Sequence, residues 1–246
     1  IDLVNETVLN QRSVHDNRVT DIDTSYNGDV VTCARDGRVV RITDTLETVW
    51  EHTLHDDPTV GIATDVYSVS VHKDRVYSGG DNAMLYAVDL EDGSKVFEHT
   101  HHTDDITGVA GYTVESVTLN SDAIGDEKEI VKIDTIDLVY SCSSDGFVGG
   151  VYARDRPDLG INPADAAWSV NTEFALNTIH ADEGIFVGGE NGYVLGVDDW
   201  EGTRLIESQN LTSDVLGLAS DGEVLYAATE SGVVQARDVG TNESLW

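Results

Sequence analysis

Residues 29–44 read DVVTCARDGRVVRITD: a run of small and β-branched residues, the pair Asp36-Gly37, then a second apolar run. Val, Ile and Thr fit a pleated strand, and an Asp-Gly pair supplies the positive φ that a tight hairpin turn needs. The stretch therefore predicts a β-hairpin. The pattern returns at 74–89 (DRVYSGGDNAMLYAVD), 184–199 (GIFVGGENGYVLGVDD) and 223–238 (EVLYAATESGVVQARD). Turn pairs are read at Asp36-Gly37, Asp81-Asn82, Asp145-Gly146, Asn191-Gly192 and Ser231-Gly232. Their second residues, at 37, 82, 146, 192 and 232, lie 45, 64, 46 and 40 apart, so one unit recurs with a single insertion.

Each hairpin is preceded by another short apolar segment: VTDIDTS (19–25), VYSVSVH (66–72), ITGVAG (106–111), ALNTIHA (175–181) and VLGLAS (215–220). Each is followed by one that ends on a bulky side chain: ETVWEH (47–52), SKVFEH (94–99), AAWSV (166–170), TRLIES (203–208) and ESLW (243–246). Four strands per unit predict an all-β fold, a β-propeller of four-stranded antiparallel blades with five clear repeats plus a partial one, hence five to seven blades. The expected organisation is one domain over 1–246, with a partial outer strand at 1–14 and blades near 15–54, 55–101, 102–171, 172–210 and 211–246. The extra length of the third blade falls in 114–135, with 156–167 as the second place for it. Only three prolines and no persistent 3.6-residue period argue against a helical solenoid. The first 13 residues either close the ring onto the last blade or belong to a ring of six or seven.

The charge is extreme: 46 acidic against 14 basic residues give a formal net charge of -32. Such a surface repels nucleic acid and anionic membranes, so neither is an expected partner. The carboxylates are spread between apolar runs and form no block, which predicts an acid-coated globule screened by concentrated salt, as in a halophilic archaeon. No apolar run is long enough to span a bilayer, and residues 1–20 lack the pattern of a signal peptide. With two unpaired cysteines, this favours the cytoplasm. Extracellular placement stays open, because the chain begins on Ile1 and Asn5, Asn210 and Asn242 each head an Asn-x-Ser/Thr triplet.

Five of the eight histidines lie in EHTLHDD (51–57) and EHTHHTDD (98–105), which invites a metal site. Yet Trp50 and Phe97 precede them at the same place in two units, and His15 stands at the corresponding place one unit earlier. Repetition explains the likeness, so no metal or cofactor is predicted. Calcium or another cation in the aspartate-rich loops HDDPT, HTDDIT and VDDWEG is the competing reading, without EF-hand spacing to support it. Cys33 and Cys142 share one site in two units and read as buried free thiols. Arg12, Arg18, Arg35, Arg38 and Arg41 fall early in the chain, and Arg18, Arg35, Arg38 and Arg41 are the candidate binding residues for an acidic partner or carboxylate ligand. Ion pairs with Asp36, Asp44 and Glu47 are the structural alternative. No phosphate loop, nucleophile elbow or HExxH motif is present.

The units resemble the WD-repeat propeller family, in which a loop His, a strand Ser or Thr and a turn Asp hydrogen-bond within each blade. The resemblance assigns that network to His15, Thr32 and Asp36, to His55, Ser78 and Asp81, and to His102, Ser141 and Asp145. No Trp-Asp dipeptide closes the third strand; Thr43-Asp44, Val88-Asp89 and Arg237-Asp238 stand there. The second and fourth units are also similar to quinoprotein repeats, at VYSGGDNAMLYAVDLEDGSKVF and IFVGGENGYVLGVDDWEGTRLI. Both resemblances imply a propeller. The expected function is a non-catalytic scaffold that binds protein partners. One alternative is a quinoprotein-like or lactonase-like propeller holding a metal or small-molecule ligand in its axial funnel, for which Asp21, Asp23, His72 and His180 are the inner-strand candidates. The other is a structural subunit of a surface assembly.

Overall fold

The computed structural model describes residues 11–56, 64–119 and 130–246. Strands pair in chain order within each sheet. The first sheet is β1 (Val19–Thr24), β2 (Val30–Ala34), β3 (Val39–Ile42) and β4 (Thr48–His52); the second is β5 (Val66–His72), β6 (Arg75–Gly80), β7 (Leu85–Asp89) and β8 (Lys95–His99). The third comprises β9 (Ile106–Leu119), β10 (Ile130–Ser143), β11 (Phe147–Tyr152) and β12 (Ala166–Asn171). The fourth has β13 (Leu176–Ala181), β14 (Ile185–Gly189), β15 (Val194–Val197) and β16 (Arg204–Ser208), and the fifth β17 (Val215–Ser220), β18 (Val224–Thr229) and β19 (Val234–Asp238). Beside β19, Leu245 N–H donates to the Ala236 carbonyl at 2.9 Å, and Arg237 bridges Ser244, so the last residues take the fourth-strand place. The architecture is all-β, as the hairpin pattern predicts. The chain divides into two compact units, Ile1–Val109 and Ala110–Trp246.

The burial pattern explains the sequence pattern. Middle strands are covered on both faces: β2, β6 and β14 are buried almost throughout, which is why they read as continuous apolar runs. Outer strands β4 and β8 bury only the central Trp50 and Phe97 among exposed neighbours. The extra length in the third sheet goes into β9 and β10, each 14 residues against 4 to 7 in strands such as β3 and β5. The tip of the expected insertion, 120–129, and the partial strand at 1–10 with Asn5 lie outside the described residues.

Neighbouring sheets are joined by a repeated contact. In the first unit, Trp50 on β4 donates its indole N–H to the Leu90 carbonyl at 2.9 Å, in the turn between β7 and β8. Gly93 completes that turn at φ +73°, and a Cβ there would lie 2.9 Å from the indole ring. The second unit repeats the arrangement: Trp168 on β12 donates to the Asp199 carbonyl at 3.2 Å, beneath Gly202 at φ +68°, where a Cβ would come within 2.6 Å of the ring. A second side chain reaches each carbonyl, Arg41 in the first unit and the Tyr140 hydroxyl, at 2.8 Å, in the second.

The glycines are thus required twice, for the left-handed backbone and for the close approach of the indole. Gly93→Ala and Gly202→Ala should each cost about 1–3 kcal/mol through overpacking and strain. Trp50→Ala, which empties the contact, should cost about 3–5 kcal/mol. Urea unfolding at fixed high KCl measures all three, and unchanged midpoints in both glycine variants would contradict the joint.

Candidate functional site

The rim that carries the β2–β3 and β6–β7 turns holds the residues singled out by the sequence. His15, 8% exposed, lies with Nδ1 3.1 Å from Asp36 Oδ1 and Nε2 2.8 Å from Thr32 Oγ1. Asp36 also accepts the backbone N–H groups of Asp16 and Arg38 at 2.8 and 3.1 Å. Burial pushes the Asp36 carboxyl up, but these backbone bonds with those from Arg38 and His15 outweigh it and hold it below the usual range. In the second sheet His55, 1% exposed, meets Ser78 Oγ at 2.9 Å and Asn82 Oδ1 at 3.0 Å.

Asn82 therefore stands where the spacing placed Asp81. The reason is turn geometry: the acceptor is the residue just before the one with positive φ, and that residue is Gly37 (+78°) in the first sheet but Ala83 (+57°) in the second. Asp81 instead donates its N–H to the Asp65 carbonyl at 3.0 Å. In the third repeat His102 is 7% and Ser141 0% exposed, while Asp145 accepts the Phe147 N–H at 2.9 Å. In the fourth, Thr172 occupies the histidine's place and its hydroxyl donates to the Gly146 carbonyl at 2.8 Å. In the fifth that place is Leu211, buried in an apolar cluster.

The arginines do not form one free cluster. Arg41, 8% exposed, turns inward, with Nε 2.8 Å from Asp29 Oδ2 and Nη1 donating to the carbonyls of Leu90 and Glu91. Arg38 is clamped by Asp36 at 2.8 Å and Asp16 at 3.0 Å. Arg35, with a side chain 44% exposed, pairs with Asp65 at 3.3 Å and lies over the Tyr67 ring at 5.7 Å. Arg18 is exposed. The acids drawn in are Asp16, Asp29, Asp36 and Asp65 rather than Asp44 and Glu47. Beside Arg35, burial and then the crowding of Asp65 and Asp105 raise Asp81 above the usual carboxylate range despite a backbone hydrogen bond.

The inner strands are occupied by contacts to one another. A β-bulge follows the first residue of β1, β5, β13 and β17 and re-aims the next side chain. Thus Thr20 donates to the Val66 carbonyl, and Asn177 Nδ2 to the Val215 carbonyl at 3.4 Å. Asp21 Oδ2 accepts the Ser68 hydroxyl at 2.9 Å and the Val69 N–H at 3.0 Å; Asp23 Oδ2 accepts the Val71 N–H at 2.7 Å. Their other oxygens take the N–H groups of Ile22 and Thr24 at 2.8 and 2.7 Å. Ser68 Oγ in turn accepts the Val109 N–H at 3.1 Å. The carboxylates named as axial ligand candidates are strand-edge caps.

Other candidates have structural surroundings too. Cys33 and Cys142 are buried free thiols, and burial pushes the Cys33 thiol up to about 12, which keeps it protonated and unreactive. Among the described residues no group of three or more His, Cys, Asp or Glu side chains is arranged to hold a metal ion; Asp57 in the first aspartate run lies outside them. A cleft of about 430 Å3 in the first unit is lined by Tyr26, Asn27, Arg41, Asp74, Asp89 and Glu91, and its guanidinium is already bound to Asp29.

Sheets of four antiparallel strands in chain order, joined through outer-strand indoles and inner-strand caps, define a β-propeller. A family model described as outer membrane protein assembly factor BamB, built of PQQ-like repeats, matches residues 6–134, and the chain belongs to that PQQ-like repeat family. Among solved structures it is similar to U3-55K (TM-score 0.72, 12% identity, covering 94% of this chain and 64% of that one). It is also similar to the WD40 β-propeller domain of Doa1 (0.67, 13%, 95% and 69%) and to BamB from Moraxella catarrhalis (0.64, 16%, 96% and 62%). At these identities the likeness is one of fold: WD-repeat-like and quinoprotein-like propellers both resemble it. The chain spans 64% of the length of U3-55K. No curated protein matches it.

Burial holds His52 and His55 down to about 4, with the charge of His52 adding to the effect on His55 and the Asn82 bond opposing it. A group kept neutral in the fold but protonated near 6.5 when unfolded makes stability fall as pH drops from about 6.5 towards 4. For His55 the full loss is on the order of 3 kcal/mol. Asp36, depressed in the fold, adds a further loss only below its ordinary value near 3.8. Thermal unfolding between pH 7 and 4 should show this decline and a smaller one in His55→Gln; a flat profile in both would contradict it.

Proposed function

We propose that the two units form one propeller that acts as a non-catalytic protein-interaction scaffold in a salt-adapted cell. The observation that carries this reading is the occupation of Asp21 and Asp23 by the next inner strand, which leaves those axial carboxylates engaged in structure. The buried, protonated Cys33 and the inward Arg41 argue the same way. The family description names an assembly factor, which fits a binding role rather than turnover. Contact with the partner falls to the rim at Arg18 and the half-exposed Arg35, where guanidinium and the Tyr67 face sit among carboxylates.

The test is gentle cross-linking in the native cells, purification in multimolar salt and mass spectrometry of whatever co-elutes in fixed ratio. A stoichiometric protein that is lost on combined Arg18→Glu and Arg35→Glu substitution supports the scaffold, provided the unfolding midpoint is unchanged. A clean protein that turns over or retains a small ligand would overturn it. The acid coat makes a separate expectation: with a net charge of -32, raising KCl from millimolar to multimolar should raise the unfolding midpoint, as circular dichroism melts would register.

A further inference from the structure

Of the three Asn-x-Ser/Thr triplets, the structure describes those at 210–212 and 242–244, and it holds their asparagines differently. Residues 209–214 join β16 to β17. Leu211 at their centre is 7% exposed and packs in the apolar cluster with Phe186, Ile206 and Val215. It lies so close to the β14–β15 turn that a Cβ at Gly192 would run into its carbonyl oxygen. Ser213 donates its hydroxyl to Ser231 Oγ at 2.8 Å, and Asp214 Oδ1 accepts the Asn191 N–H at 3.0 Å. The loop is thus fixed through Leu211, Ser213 and Asp214. With Leu211 turned inward, Asn210 and Thr212 on either side of it are exposed, and among the described residues neither side chain has a hydrogen-bond partner.

Asn242 is committed to the fold. Its Oδ1 accepts from Arg237 Nη1 at 2.8 Å and its carbonyl accepts from the same nitrogen at 3.1 Å, while Arg237 is 3% exposed. Its own N–H donates to the Asp238 carbonyl at 2.9 Å, with φ at +59°. Ser244, the third residue of that triplet, is bridged to Arg237. Taking this amide away from the guanidinium would leave a buried charge short of an acceptor. An N-linked glycan is bulky and needs an asparagine on an open surface with a hydroxyl two residues further on. Position 210 meets both conditions, and position 242 does not.

We propose that Asn210 is the acceptor of an N-linked glycan and that Asn242 is not. The donor class is an oligosaccharide carried on a polyprenyl phosphate. Asn210 Nδ2 bonds to the anomeric carbon, the bond from that carbon to the phosphate oxygen breaks, the lipid phosphate leaves, and one amide proton passes to a base of the transferase; no oxidant or reductant takes part. Thr212 is the hydroxyl that the transferase reads beside the amide. The modification requires the chain to be exported, and its cysteines are no obstacle: both are buried, and the Cys33 thiol, pushed up to about 12, stays protonated and unreactive in an oxidising compartment. It stands whether or not the chain binds a protein partner.

The natural protein, purified from its own cells and cut with trypsin, yields the two asparagines on separate peptides, because cleavage after Arg204 and Arg237 releases 205–237 and a peptide that begins at Asp238. Mass-spectrometric fragmentation of the intact peptides should place a glycan on Asn210 and return the peptide that begins at Asp238 at its unmodified mass. Thr212→Ser should keep the glycan, whereas Thr212→Val and Asn210→Gln should each abolish it, with unmodified 205–237 sequence in its place and with the fold shown intact by circular dichroism. An unmodified 205–237 peptide from the natural protein, a glycan on Asn242, or a glycan that survives Thr212→Val would overturn the proposal.

Discussion

A four-stranded sheet of this kind cannot bury its own two faces, and in two places in this chain an indole beneath a glycine fixes one sheet against the next. Trp50 under Gly93 and Trp168 under Gly202 combine a large apolar surface with a directed hydrogen bond, so the contact sets both distance and orientation. The continuous apolar reading of β2, β6 and β14 is a consequence, since those strands are sandwiched only when the neighbouring sheets are held in place. The same constraint explains why the turn between the third and fourth strands carries a left-handed glycine in two sheets, where other residues at this place dispense with the indole.

Near the axis a different problem is solved. An inner strand presents unpaired N–H groups along its free edge, and each must find an acceptor. Asp21, Asp23 and Ser68 provide them from the preceding strand, with distances of 2.7 to 3.1 Å. Groups that would suit metal binding in isolation are thereby committed to holding strands together. The histidines divide similarly: His15 and His55 each bridge a loop to a strand and a turn through both ring nitrogens, and burial keeps His55 neutral.

Hairpins and their period were legible because alternation and Asp-Gly turns are local signals. The extra length between the second and third hairpin turns includes the long β9 and β10, and nothing local distinguishes a longer strand from a loop in so acidic a stretch. Asn82 was missed by one residue because Ala83 adopts positive φ without being glycine. The Trp-glycine joints were not read from the sequence, though bulky residues at the ends of outer strands were seen. Gly93 and Gly202 look like ordinary turn glycines until their neighbours in space are known. The recurrence of Asp-x-x-x-Gly at the end of the third strand, at 89–93 and at 198–202, was the available signal. Arg41 looked like its exposed neighbours because only the fold reveals that Asp29 and two carbonyls lie within its reach.

Amide hydrogen exchange at Val69 and Val71 tests most directly whether side chains of one inner strand cap the edge of the next. In the native protein both amides should be protected although they lie on the free edge of β5. Asp21→Ala should release Val69, and Asp23→Ala should release Val71, each leaving the other slow. If both amides exchange freely in the native protein, or if neither substitution changes their rates, the sheets are not joined in this way and the inner carboxylates are available for chemistry after all.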